Sequence, residues 1–395
     1  MSAMTSEKGP KVMIGLNTTW NLVNFRAGLI SALQRRGYRV VACAPPDRYV
    51  SRLLQLGCRF VPIAMQGQGT NPLREAMLFA RYLHVLREER PDAFLAFTVK
   101  PNIYGSLAAR TLGIPVVNNI TGLGTAFIRT GWLTRVVRTL YRTALARSSR
   151  VFFQNDDDRD LFVRSRLVAA ERTDRVPGSG INLTRFAPPP VRDSSLVPFR
   201  FLLIARLLKD KGVREYAEAA AIVRHRYPRV QCCLLGGVDP QNPAAITREE
   251  LSAWTASGAI DYRGETDDVA AEIARADCVV LPSYREGLPR TLLEAAAMAR
   301  PMIATDVEGC RDVVTDGANG FLCNVRDAAD LAAKMLRMVQ LAPEDRLAMG
   351  RRARVDVEQE FDERIVINKY LAAIEAVLAG THAPEAARPV NAPGS

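Results

Sequence analysis

Two short stretches of the chain carry side chains suited to holding a diphosphate. In Ile204-Ala205-Arg206-Leu207-Leu208-Lys209-Asp210-Lys211-Gly212, Arg206 directly follows an apolar run and Lys211 opens the next amphipathic stretch. A guanidinium grips an anion bidentately and an ammonium acts as a point charge, so the pair suits a diphosphate. An Arg-rich chain also makes surface basic clusters, and the residue types alone leave that reading open. The second stretch ends an apolar run at Pro282, passes Glu286-Gly287-Leu288-Pro289 and opens a helix where a proline suits the first turn. A helix N-terminus offers unpaired N–H groups and partial positive charge to an anion. Glu286 precedes that turn and Glu294 lies eight residues further on. One carboxylate can then face the mouth of a cleft while the other reaches a deeper part of a ligand. Two solvated helix glutamates would show the same spacing.

Such residues need strands that end along one edge. Apolar runs at 11–17, 38–43, 58–63, 93–97, 114–119 and 150–155 alternate with helical stretches closed by Gly57, Pro91 and Gly113. After a Pro-rich, polar segment the cadence restarts at 199–205, 229–236, 259–263, 277–282 and 301–305. Continuous apolar strands alternating with helices imply a parallel sheet covered on both faces. The expected class is α/β, with two doubly wound domains facing a central cleft. The domains are expected over 11–186 and 199–360, joined by a stiff linker over 187–198. A helix over 361–379 is expected to cross back to the first domain, ahead of a disordered tail over 380–395. Ligands of such sheets sit outside the carboxyl ends of the strands.

Composition narrows the chemistry. The 395 residues are 48% hydrophobic and 24% charged, an ordinary globular balance. The formal charge is +11 with only seven Lys, so the basic side is nearly all Arg and anionic partners are expected. Seven Cys without a C-x-x-C argue against a disulfide scaffold and a cysteine zinc site. Three His, at 84, 225 and 382, lie far apart and give little support to a histidine triad; no catalytic role is assigned to His84 or His225. No run approaches the ~20 apolar residues of a membrane span. The polar first ten residues lack the core of a signal peptide. In Trp132–Arg142, Arg135, Arg138 and Arg142 align on one face, opposite Leu133, Val136 and Leu140. A basic amphipathic helix of this kind packs on a sheet or lies on an anionic bilayer.

The order Arg206…Lys211-Gly212, Arg263-Gly264, Asp277, Pro282-Ser283, Glu286-Gly287 and Glu294-Ala295 resembles the nucleotide-sugar half of glycosyltransferase family 4. Gly178-Ser179-Gly180-Ile181-Asn182 with Phe186, and Asp316-Gly317 with Asn319-Gly320-Phe321-Leu322, extend the likeness over most of 175–335. That family is retaining and has the GT-B architecture of two Rossmann-like domains. Asn24-Phe25-Arg26, Lys100-Pro101-Asn102-Ile103-Tyr104-Gly105 and Gly122-Leu123-Gly124-Thr125-Ala126-Phe127 are similar to bacterial transferases that extend polyprenyl-diphosphate-linked sugars. The chain departs from many members where they place a histidine near the donor sugar; here Asn118-Asn119-Ile120-Thr121 stands instead.

The resemblance implies transfer of an N-acetylhexosamine or hexose from a UDP-sugar to a lipid-linked saccharide in bacterial polysaccharide or glycan assembly. It implies Glu286, Arg206 and Lys211 as catalytic groups, and Glu294, Gly287, Leu288, Pro289, Arg263 and Gly264 around the donor. Asn17, Lys100, Asn119 and Thr121 fall on the acceptor side or in the cleft, with residues 15–24 a loop closing over the reaction centre. No cofactor or metal is expected, because the cations do the metal's work; Asp156-Asp157-Asp158 is read as a helix cap. The expected location is cytoplasmic, peripheral on the inner face of the plasma membrane, with no nucleic-acid partner. Two other readings stand beside this one. A sugar-nucleotide 2-epimerase of the same architecture would need histidines that are scarce here, and a polyanion-binding protein would need an aromatic-interleaved basic stretch.

Overall fold

The computed structural model describes residues 9–66, 71–121, 132–190, 198–239 and 242–382. The 122–127 motif, linker residues 191–197 and the tail beyond 382 lie outside the described residues. The apolar runs form parallel strands. In the first half these are β1 (Lys11–Gly15), β2 (Arg39–Ala44), β3 (Arg59–Pro62), β4 (Ala93–Phe97), β5 (Val116–Ile120), β6 (Arg150–Phe153) and β7 (Thr173–Arg175). They make one sheet in the order β3-β2-β1-β4-β5-β6-β7, parallel throughout. The strands of the second half are β8 (Arg200–Ile204), β9 (Gln231–Leu235), β10 (Asp261–Tyr262), β11 (Cys278–Leu281), β12 (Met302–Thr305) and β13 (Gly320–Cys323). Their order is β10-β9-β8-β11-β12-β13, again all parallel.

Both sheets are covered on two faces, as side-chain alternation along a strand requires. In β1, Val12 and Ile14 join a core with Leu29, Ile30 and Leu33 of the helix Ala27–Arg35 and with Tyr370 and Ile374 of the helix Glu363–His382. Met13 points the other way, into a core with Leu78, Tyr82 and Leu86 of the helix Pro72–Glu89. In β8, Phe201, Leu202 and Leu203 are all fully buried. Strand order reverses between β1 and β4 in one sheet and between β8 and β11 in the other. Each sheet therefore opens a crevice at the carboxyl ends of those pairs.

The chain divides into two compact units. One runs up to Ser179 and resumes at Arg364; the other is Gly180–Glu363. The expected boundary at 186 is too late, because Ile181 and Phe186 are buried in the core of the second unit. Residues 15–24 are not a loop throughout. Thr19–Phe25 is a helix, because Thr18 accepts from Asn21 N and Asp47 accepts from the N–H groups of Thr19 and Trp20. The cap before Asp156 is likewise corrected: Asn155 is the N-cap, and the three Asp occupy the first turn, where the helix dipole favours negative charge.

Candidate active site

The crevice of the second unit holds the residues singled out for diphosphate chemistry. The chain leaves β8 at Ile204, and Arg206 follows with its side chain exposed and no hydrogen bond or ion pair among the described residues. A 3-10 turn, Lys209–Lys211, then leads through Gly212 into the helix Val213–Arg226. Gly212 has a φ of +67°, and a Cβ there would lie 2.0 Å from the carbonyl oxygen of Pro282. Only glycine allows the loop leaving β8 to cross the loop leaving β11 so closely. Tyr284 N donates to Asp210 O at 2.9 Å and locks that crossing.

The crossing brings Lys211 and Glu286 together. Lys211 Nζ lies 2.6 Å from Glu286 Oε1, with 19% and 15% of the two side chains exposed. Behind them Cys310 is fully buried, its thiol pushed up to about 12 by burial and next by the Glu286 carboxylate. Tyr284 O–H donates to Glu215 Oε1 at 2.6 Å, which braces the loop from the other side. Ser283 is completely buried, and Thr305 Oγ1 donates to its carbonyl.

Pro289 is the N-cap of the helix Arg290–Ala297, one place before the expected first turn. Glu294 is buried, and Arg290 Nε donates to its Oε1 at 2.9 Å. Burial raises the Glu294 carboxyl above the usual carboxylate range, and the guanidinium groups of Arg290 and then Arg185 pull against it. Arg290 Nη1 also reaches Gly180 O at 3.4 Å, so this pair is tied to the 178–182 motif. The four-residue spacing of Arg290 and Glu294 on one helix is the sequence signal for this pair, which the motif order above does not include. Arg263, placed by its motif near the donor, bonds back to Asp261 at 2.7 Å, while Gly264 O accepts from Gly236 N at 2.8 Å beside the end of β9.

The first unit divides its four expected residues. Asn17 follows β1 and accepts from Asn21 Nδ2 at 2.8 Å; Lys100 follows β4 and pairs with Glu75 at 2.5 Å. Between β4 and Lys100, Thr98 holds a φ of +62°, a strained conformation for a residue other than glycine. Thr121 is exposed at the end of β5. Asn119 is fully buried and lines no surface. Its Nδ2 donates to the Tyr370 hydroxyl, and its carbonyl accepts from Asn102 Nδ2 at 2.7 Å. Next to it Asn118 Nδ2 donates to Asn102 Oδ1 at 2.9 Å and to Ser106 at 2.8 Å, and Ser148 donates to Asn118 Oδ1 at 2.7 Å. The Asn118-Asn119 pair thus fastens β5 to the π-helical turn Pro101–Gly105 and to the helix Glu363–His382. Tyr370→Phe leaves the buried Asn119 amide without its acceptor. It is expected to cost about 1–3 kcal/mol in denaturant unfolding while nucleotide binding stays intact; unchanged stability would remove the network from its structural role.

His84 and His225 are exposed on helices and lie in neither crevice. No group of three or more His, Cys, Asp or Glu that would hold a metal ion occurs among the described residues.

Comparison with known proteins bears on the family and the fold. A family model described as Glycosyl transferase 4-like domain matches residues 24–178, and one described as Glycosyl transferases group 1 matches residues 198–340. The N,N'-diacetylbacillosaminyl-diphospho-undecaprenol alpha-1,3-N-acetylgalactosaminyltransferase of Campylobacter jejuni is 29% identical over 376 residues, covering 91% of this chain and 96% of that protein. The UDP-Gal:alpha-D-GlcNAc-diphosphoundecaprenol alpha-1,3-galactosyltransferase of Escherichia coli is 23% identical over 265 residues, covering 64% and 68%. The solved structure of Anabaena Alr3699/HepE in complex with UDP and glucose matches with a TM-score of 0.76 at 20% identity, covering 93% of this chain and 99% of that one. At that identity the likeness bears on the fold, which is GT-B. Neither the epimerase nor the polyanion-binding reading is supported. The two family models between them span most of the sequence, and the chain belongs to glycosyltransferase family 4, as a hexosyltransferase.

Proposed function

We propose that the chain moves an N-acetylhexosamine or hexose from a UDP-sugar to a saccharide carried on a polyprenyl diphosphate, retaining the anomeric configuration, in bacterial polysaccharide or glycan assembly. The observation that carries the donor half is the loop at the second crevice, where the exposed Arg206 and the Lys211–Glu286 pair stand at the carboxyl ends of β8 and β11. In this reading Arg206 and Lys211 hold the diphosphate. Charge grows on that group as it leaves, so cations fixed beforehand are worth most there. Lys211 exchanges part of its bond to Glu286 for a phosphate oxygen, and Glu286 turns to a hydroxyl of the transferred sugar. Glu294 accepts from the ribose hydroxyls, with Arg290 fixing its rotamer. Gly287, Leu288 and Pro289 bring the backbone close to the donor, and Arg263 and Gly264 border it. Asn17, Lys100 and Thr121 serve the acceptor side, and Asn119 supports them from within the core. The acceptor half is supported by the two relatives' names, both of which specify a saccharide on diphosphoundecaprenol.

Thermal denaturation with a panel of nucleoside diphosphates, without added metal, tests the donor half. UDP at a hundred times its Kd adds about 2.7 kcal/mol to stability. If no member of the panel moves the transition, the donor reading falls.

A lipid-linked acceptor brings the enzyme to a membrane, and we place the dock on the helix Trp132–Leu145. No helix among the described residues is long and apolar enough to cross a bilayer, so contact would be peripheral, on the inner face of the plasma membrane. Arg135 and Val136 are exposed on this helix, while Arg142 donates to Arg166 O at 3.2 Å and Ser165 O at 3.3 Å. Each Arg near an anionic surface contributes about 1 kcal/mol. Reversing Arg135, Arg138 and Arg142 to Glu should release the protein from anionic vesicles in co-sedimentation, with Arg135 and Arg138 carrying most of the effect. Undiminished sedimentation of the triple variant would move the dock elsewhere.

A further inference from the structure

We propose that Trp20 is the platform on which a pyranose ring of the acceptor saccharide stacks, an assignment that rests on the transferase reading above. Among the described residues, Trp20 is the one aromatic side chain in the set of exposed large hydrophobics, with a relative exposure of 43%. An indole is costly to leave in water, and one held exposed and rigid is suited to a ligand.

Rigidity here has three sources. Trp20 N donates to Asp47 Oδ2 at 3.1 Å and Thr19 N to the same oxygen at 3.0 Å, which pins the first turn of the helix Thr19–Phe25. The Trp20 ring packs edge-on with Phe25, centroids 5.1 Å apart and planes at 89°. Asn24 Nδ2 donates to Trp20 O at 3.0 Å. A ring fixed in advance binds without the entropy cost of being ordered.

The turn begins where β1 ends, on the crevice edge of the first sheet. Beside the Thr18 hydroxyl, which caps the helix, and the Thr19 hydroxyl, which donates to Asp47, its polar side chains are neutral amides. Asn21 Nδ2 donates to Asn17 Oδ1 at 2.8 Å, leaving the Asn17 amide nitrogen and the Asn21 side-chain oxygen without protein partners among the described residues. An aromatic plane for the C–H face of a sugar, flanked by amide donors and acceptors for its hydroxyls, is the composition of a carbohydrate subsite. The Asp47 carboxylate already accepts from the Thr19 and Trp20 N–H groups, so these donors of the turn are not open to a phosphate.

Saturation-transfer-difference NMR on the full chain tests the assignment, with octyl α-glycosides of N-acetylglucosamine and N-acetylgalactosamine as acceptor probes and UDP as the donor probe. Wild type is expected to transfer saturation to the ring C–H protons of at least one glycoside. Trp20→Ala should weaken its binding about tenfold, within the range for loss of a stacking aromatic, and Trp20→Phe should recover part of it. UDP binding should be the same in all three proteins and shows that the variants are folded. Glycoside binding unaffected by Trp20→Ala, or absent in wild type that binds UDP, overturns the assignment. So does a parallel loss of UDP binding in Trp20→Ala, which would put the nucleotide on the ring. Wild type that fails to bind UDP counts instead against the donor reading on which this one rests.

Discussion

Arg206→Ala and Lys211→Ala are each expected to abolish the stabilisation that UDP confers in thermal denaturation. A charge-assisted contact to a diphosphate is worth about 1.5–3 kcal/mol, comparable to the whole shift produced by a ligand at a hundred times its Kd. The two variants should differ before any ligand is added. Arg206 is exposed and has no partner among the described residues, so its loss should leave the apo transition unchanged. Lys211 neutralises Glu286, whose side chain is only 15% exposed. Removing Lys211 strands that carboxylate and lowers apo stability by itself. The ligand-induced difference is therefore the quantity to read, and Lys211→Met combined with Glu286→Gln separates the loss of a charge from the loss of a contact. Full UDP stabilisation of both single variants would remove these cations from the donor site.

The second large effect separates the two glutamates. Glu294→Gln should weaken UDP binding, because a ribose contact is present throughout the reaction, whereas Glu286→Gln should mainly lower kcat while UDP binding survives. The surroundings sharpen the contrast. Glu294 is buried against Arg290, and a neutral amide there leaves the Arg290 guanidinium less well compensated within the same helix. Glu286→Gln keeps an oxygen for Lys211 and frees more of its charge for the diphosphate. UDP affinity measured by calorimetry beside turnover at saturating donor distinguishes the two. Equal loss of UDP affinity in both variants would contradict the separate roles.

Much of the fold was legible because parallel strands in a doubly covered sheet are written as continuous apolar runs. Phe94-Leu95-Ala96 and Val279-Val280-Leu281 have no polar face, and they became β4 and β11. Two further strands are shorter or less apolar than these. Thr173–Arg175 buries only its first residue, and Gly320–Cys323 is four residues long behind a turn. Each is an edge strand whose partner supplies the pairing. The helix Thr19–Phe25 has a local cap in Thr18, but its second N-terminal acceptor, Asp47, lies 28 residues from Thr19.

What the sequence alone determined was the set of reactive side chains and their place at strand ends, since Arg206 and Glu286 must follow β8 and β11 wherever those strands lie. Only the tertiary structure decided which of them meet. Lys211 and Glu286 are 75 residues apart and touch because Gly212 lets two loops cross without a Cβ between them. The resemblance implied a place for Asn119 on the acceptor side or in the cleft, yet it lies under Tyr370, 251 residues further along the chain. A polar side chain at a strand end satisfies its hydrogen bonds with a ligand or with the core. The choice depends on which helix packs over it, and local sequence carries no record of a partner that distant.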